Sequence, residues 1–105
     1  MSMLDHYRTW LEKKPEDRLA MYGLALELKK VGEQEAAAQA FEALLAVHPQ
    51  SGAGWFQYGQ LFEQDGDEEQ AVATWRRGLE ALEGANDPEA VRSRGEIQGA
   101  LDLLE

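Results

Sequence analysis

Three features of this 105-residue chain predict an all-α fold of antiparallel helix pairs, about six helices in all. A pattern of large apolar, small and glycine positions recurs at a fixed spacing of 34 residues. No run of alternating β-branched residues competes with it, and only five residues are Val or Ile. The segments between candidate helices are all short, which favours antiparallel neighbours.

The repeat can be read residue by residue. Met21, Leu24, Ala25 and Leu28 are followed by Gly32, Ala37, Phe41, Leu45 and Pro49. Thirty-four residues on stand Trp55, Tyr58, Gly59 and Phe62, then Gly66, Ala71, Trp75, Leu79 and Glu83. Such a period marks a helix–turn–helix unit that buries its apolar face by stacking on neighbours. Stepping back by one period from Ala37, Phe41, Leu45 and Pro49 gives Met3, Tyr7, Leu11 and Pro15. The N-terminal segment therefore reads as the second helix of a unit without its first. Stepping forward, the register fails, because Trp55 maps to Glu89 and Gly59 to Ser93. Residues 88–104 still read as a helix. Asp87 suits the cap and Pro88 the first helical position, and Ala90, Ile97, Leu101 and Leu104 share a face. The predicted helices span 3–13, 16–31, 35–47, 53–64, 68–82 and 88–104. Gly95 and Gly99 inside the last helix leave two readings, close packing on the preceding helix or an intrinsically weak helix.

The typed positions resemble the tetratricopeptide repeat, whose first helix carries a large apolar residue, Leu-Gly or Leu-Ala and an aromatic. A glycine closes its turn, and the second helix carries a small residue, an aromatic and a Pro. Gly78, where the family usually has Ala, and Glu83, in place of Pro, are the departures. The resemblance implies a right-handed α-solenoid forming a single domain. Its parts would be an N-terminal half repeat (1–17), two repeats (18–51 and 52–85) and a C-terminal capping helix (86–105) with a polar outer face.

The net charge is −10. Residues 1–34 are balanced, with six basic and six acidic side chains. Between Val31 and Trp75 there is no Lys or Arg against eight acids, and Glu63, Asp65, Asp67, Glu68 and Glu69 cluster about Gly66. The cluster reads as a solvated loop, as a patch for a basic partner, or as part of a surface suited to high salt. Phosphate neutralisation needs a basic stripe that this chain lacks, so nucleic acid is not an expected partner.

The acidic turn is not a calcium loop. Setting Gly66 at the invariant glycine puts Leu61 at the first ligand and Val72 at the closing bidentate position. There is no Cys, hence no disulfide or Cys-based zinc site. His6 and His48 have no second His one helical turn away and read as surface residues. Gly52, Gly54 and Gly59 do not follow a strand as a phosphate loop would, and Ser2, Ser51 and Ser93 lack a His/Asp constellation. The expectation is no metal, no cofactor and no enzymatic activity. No apolar run approaches the ~20 residues that span a bilayer, and residues 1–8 lack a secretory h-region. A cytoplasmic location is the default.

Binding remains, and the resemblance implies where. First helices line the concave groove of such arrays. The candidate partner-binding residues are therefore Leu19, Tyr22, Leu26, Lys29 and Lys30 in the first copy. Phe56, Gln57, Gln60 and Gln64 follow in the second, with Ala53 and Glu63 beside them. The cap helix adds Arg94, together with Ala90 and Ile97. Tyr22 and Phe56 are equivalent and lie one residue off the stripe of Met21, Leu24 and Leu28 or Trp55, Tyr58 and Phe62. Aromatics so placed either anchor a ligand or pack against a neighbouring helix. One branch of the family grips a C-terminal carboxylate with Lys and Asn. The corresponding residues here are Tyr22, Leu26, Gln57, Asp87 and Val91, and none matches. The expected function is binding of a peptide or helix of an unidentified protein, by a monomer or weak homodimer. The alternative is self-association through the Met3, Tyr7 and Trp10 face.

Overall fold

The computed structural model describes residues 2–105. Among them there are six α-helices and no strand: α1 (Met3–Lys13), α2 (Arg18–Lys30), α3 (Gln34–Val47), α4 (Gly52–Gln64), α5 (Glu68–Ala81) and α6 (Pro88–Leu104). The helices fall into two compact units, the first ending at His48 and the second running Pro49–Glu105.

Local chemistry sets the helix ends. Ser2, Asp17, Asp67 and Asp87 each accept a hydrogen bond from the backbone N–H three residues on, at 3.0–3.2 Å. Each satisfies a donor that a helix start leaves orphaned. Asp17 is thus a cap, which moves the start of α2 from the predicted residue 16 to Arg18. The acidic turn gains a structural reading as well. Asp67 caps α5, and Glu68 and Glu69 lie in its first turn, where carboxylates favour the helix dipole. All of residues 63–70 are exposed. Gly32 and Gly66 close α2 and α4 in the same manner. Each has a positive φ, 84° and 81°. In each case two backbone bonds turn back on the helix, Gly32 N to Lys29 O and Glu33 N to Leu28 O, then Gly66 N to Glu63 O and Asp67 N to Phe62 O. Only glycine enters this conformation without a Cβ penalty, which is why the repeat keeps it.

In the first unit α2 packs against both α1 and α3. Ala37 and Phe41 are fully buried, Leu44 likewise, and Leu45 nearly so, beside Ala20, Ala25 and Leu28 of α2. Burying a Phe or Leu side chain contributes roughly 1.5–3 kcal/mol. The Tyr7 ring of α1 lies over Gly23, where any Cβ would collide with it. His48, expected at the surface, is half-buried. Its Nε2 lies 2.7 Å from the Glu16 carbonyl oxygen. A carbonyl only accepts, so this nitrogen carries the proton and ties the end of α3 to the α1–α2 turn.

In the second unit α4 packs on α5 and α6, and α5 on α6. Trp75 is fully buried, and its Nε1 donates to the Phe56 carbonyl at 3.1 Å. Trp55 Nε1 donates to the Pro49 carbonyl at 2.8 Å, pinning the chain just before α4. Buried indoles need such partners. Gly78 is the room that Trp55 occupies, since a Cβ there would come within 2.8 Å of the Trp55 Cβ and 3.3 Å of Ile97 Cδ1. Ser93 is buried against Gly52, which likewise has no space for a Cβ. The lost register thus survives at one position. Ser93 stands one period after Gly59, and a small residue is still required there.

Several expectations are corrected. Met21, Leu24 and Phe62 are half-buried, whereas Leu44, Leu61 and Leu82, outside the typed register, are buried. Three-helix units are thin, so large residues at their margins keep some area in water. Ala90 and Ile97, expected to serve both the groove and the core, are core alone, at 2% and 0% exposure. Close packing does not explain Gly95 and Gly99, because nothing lies within 4 Å of a Cβ built at either. Neither has a positive φ. Gly95→Ala and Gly99→Ala are therefore expected to stabilise by about 1 kcal/mol each, the helix-propensity difference, readable in urea melts. A loss at either site would mean that its outer surface is covered in solution.

Candidate functional site

The sequence-predicted residues divide between the two units. On α2, Leu19 is 61% exposed, and Tyr22 and Leu26 are half-buried. Lys29 is half-buried too, and burial pushes its ammonium below the ordinary lysine value of 10.5, since desolvation disfavours the charged form. Lys30 is exposed and lies 3.9 Å from the Glu27 carboxylate, an ion pair of the i, i+3 type that contributes little at a surface.

On α4, Phe56, Gln57 and Gln60 are half-buried, as is Ala53, while Glu63 and Gln64 are exposed. The Phe56 ring stacks on Trp75, with centroids 6.3 Å apart and planes inclined by 21°. Its orientation is therefore set by a buried neighbour. Arg94 is held locally. Its guanidinium donates to the Leu82 carbonyl at 2.8 Å and to that of Ala85. It thereby satisfies carbonyls left open where α5 ends and favours the negative end of that helix.

Sequence reasoning did not find Arg77, whose guanidinium carbon stands 5.0 Å from the centroid of the Trp55 ring. With Glu80 and Ala81 these residues line a shallow hollow on the second unit. Trp55 and Arg77 sit on different helices at no characteristic spacing, so no sequence signal marked the pair. On the first unit α1 has no fully buried residue, and His6, Tyr7 and Trp10 form a small aromatic cluster with centroid separations of 5.3–6.2 Å.

Among the described residues no three His, Asp or Glu side chains are grouped to hold a metal ion. No buried side-chain nitrogen or oxygen lacks a partner among them. No described helix is long and apolar enough to cross a membrane. The arrangement offers apolar and amide-bearing helix faces rather than grouped reactive side chains.

Comparison with known proteins agrees with the helix pairs and the period. The model of the tetratricopeptide repeat matches residues 2–82. No curated protein matches the chain. Repeats of this type serve protein–protein interaction and are not catalytic modules. With the match covering most of its length, and with α1 to α5 following the 34-residue register, the chain belongs to the tetratricopeptide-repeat family.

Proposed function

We propose that the chain binds an extended or helical segment of a partner protein on the faces of its first helices, anchored by Tyr22 and Phe56. Residues 18–51 and 52–85 are its two full repeats in this reading, and 86–105 the cap. The observation that carries it is the equivalence of the two aromatics. They stand one period apart, both are half-buried, and each is flanked by residues able to meet a ligand, Leu19 and Leu26 on α2 and Gln57 and Gln60 on α4. Phe56 is already oriented by Trp75, so little further order is lost on binding. Leu19 and Gln64 extend the two faces, and Lys29, Lys30 and Arg94 add the positive charge. Rim charges of this kind govern on-rate and salt dependence more than affinity.

The test starts from a protein captured from the native host, whose affinity is then measured directly. The Tyr22→Ala/Phe56→Ala double variant should stay cooperatively folded and weaken binding by at least about tenfold per anchor lost, as for residues worth about 2 kcal/mol. Leu19→Asp, at an exposed position, should weaken binding with no change in melting temperature. Unchanged affinity in both variants would place the partner elsewhere, on the α3 and α5 faces or at the acidic turn.

A further inference from the structure

The outer arc of α2 is positive in a chain whose net charge is −10. At about 100° per residue, Arg18, Lys29, Tyr22, Leu26, Leu19 and Lys30 succeed one another around about 120° of the helix. The arc carries three cations, three apolar side chains and no carboxylate of α2. The buried residues of the helix, Ala20, Gly23, Ala25 and Leu28, all fall outside it. Along the axis Arg18 and Leu19 stand at the start, Tyr22 and Leu26 in the middle, and Lys29 and Lys30 at the end. Arg18, Leu19 and Lys30 are exposed, the other three half-buried.

The scaffold does not require these cations. One period on, the places of Arg18, Lys29 and Lys30 are held by Gly52, Glu63 and Gln64, while the aromatic recurs as Phe56. Cations in a last turn favour the helix dipole, yet α4 has none and closes on the same glycine turn as α2. The last turns of α3 and α5 have none either. Counting Glu27, which pairs with Lys30, α2 still holds three cations against one carboxylate. A positive arc with an apolar centre, on an acidic molecule, is complementary to an acidic ligand and repels a basic one. Lys29 is more than a rim charge. Desolvation holds its ammonium below the ordinary value, and a carboxylate beside it would be less screened than in open water and would favour its charged form.

Resting on the partner-binding proposal above, we infer that the partner segment seated on α2 is acidic and amphipathic. Its apolar side chains meet Leu19, Tyr22 and Leu26. Its Asp or Glu side chains lie at both ends, against Lys29 and Lys30 at one and Arg18 at the other. Arg18 and Lys29 are about 16 Å apart along the axis, at about 1.5 Å per residue. An extended segment spans that distance with about five residues, a helix lying alongside with about eleven.

Selection of random twelve-residue peptides against the wild-type chain, displayed with their C-termini joined to a phage coat protein, tests it. Enriched sequences are expected to carry Asp or Glu on either side of two or more apolar residues, and no Lys or Arg. A synthetic peptide of enriched sequence, amidated at its C-terminus, should lose at least about tenfold in affinity when its acids become amides. Lys29→Glu/Lys30→Gln gives α2 the last-turn residues of α4, which this fold already carries, and should weaken the acidic peptide to a similar extent. The same variant should bind a peptide with Lys in place of the acids better than the wild type does, which a merely structural effect would not produce. Should it lose its cooperative melt, Arg18→Gln/Lys30→Gln, at two exposed positions, serves the amide comparison. Acidic peptides indifferent to these variants overturn the inference. Neutral or basic peptides that are lost in Tyr22→Ala/Phe56→Ala overturn it and leave the anchors standing. Acidic peptides lost with the lysines but not with the anchors uphold the charge and remove the anchors. No enrichment overturns both. A dimer of the chain alone that Lys29→Glu/Lys30→Gln abolishes would give the arc to the acidic turn of a second copy, and overturns the partner segment.

Discussion

Truncation of Trp75 to alanine is expected to lower stability by about 3–5 kcal/mol, the largest effect of any single substitution considered. The indole is the largest fully buried side chain and serves three purposes at once. It fills the space left by Gly59, stacks on Phe56 and donates from Nε1 to the Phe56 carbonyl. Truncation opens a cavity, removes the stacking and leaves the carbonyl of a half-buried residue short of one donor. Against the net stability of about 5–15 kcal/mol usual for a domain, that loss is a large fraction and should shift unfolding to markedly lower temperature and denaturant. Urea or thermal melts followed by far-ultraviolet circular dichroism measure it. A cost below about 1 kcal/mol would mean that α4 and α5 are not held together by this ring. Phe41, at the equivalent position of the first unit and equally buried, should cost a similar amount when truncated.

Gly59→Ala is expected to destabilise by about 1–3 kcal/mol, although alanine is the better helix former by about 1 kcal/mol. A methyl at Gly59 would occupy the space of the Trp75 Nε1, Cε2 and Cδ1 atoms. That edge cannot retreat without breaking the bond to Phe56. The cause can be isolated in a double-mutant cycle. In a Trp75→Phe background the smaller ring vacates the site, and Gly59→Ala should become neutral or stabilising. A coupling energy of about 0.5–3 kcal/mol is the expected reading for residues in contact. Gly59→Ala that stabilises the wild-type chain would show that α4 and α5 stand further apart than described. Set beside the gains expected at Gly95 and Gly99, the same substitution in a helix interior changes sign according to what faces it.

Much of the fold was legible from the residues alone. Helix order, the starts at Met3, Glu68 and Pro88 and the closing turns at Gly32 and Gly66 follow from interactions within a few residues along the chain. A cap binds an N–H three positions on, and a glycine enters a left-handed turn regardless of what packs nearby. The repeat register likewise carried the small positions, Ala37, Ala71, Ala25 and Gly59, since two helices cannot approach there around a larger side chain. The candidate faces were legible only as positions one residue off the apolar stripe. That placement singled out Tyr22 and Phe56 as candidates, and carried no sign of the stacking of Phe56 on Trp75 or of the capture of Arg94 by the Leu82 and Ala85 carbonyls.

What periodicity determined was the apolar side of each helix, to within roughly the 100° width of the stripe. Where along that width a neighbouring helix crosses was decided by tertiary packing alone. Hence Leu44, Leu61 and Leu82 are covered while Met21, Leu24 and Phe62 keep part of their surface in water. Glycine shows the division most sharply. Gly59 and Gly78 are sites of close approach, Gly95 and Gly99 face open solvent, and all four occupy helix interiors. Nothing local distinguishes them, because a missing Cβ has meaning only through the atoms that would have met it.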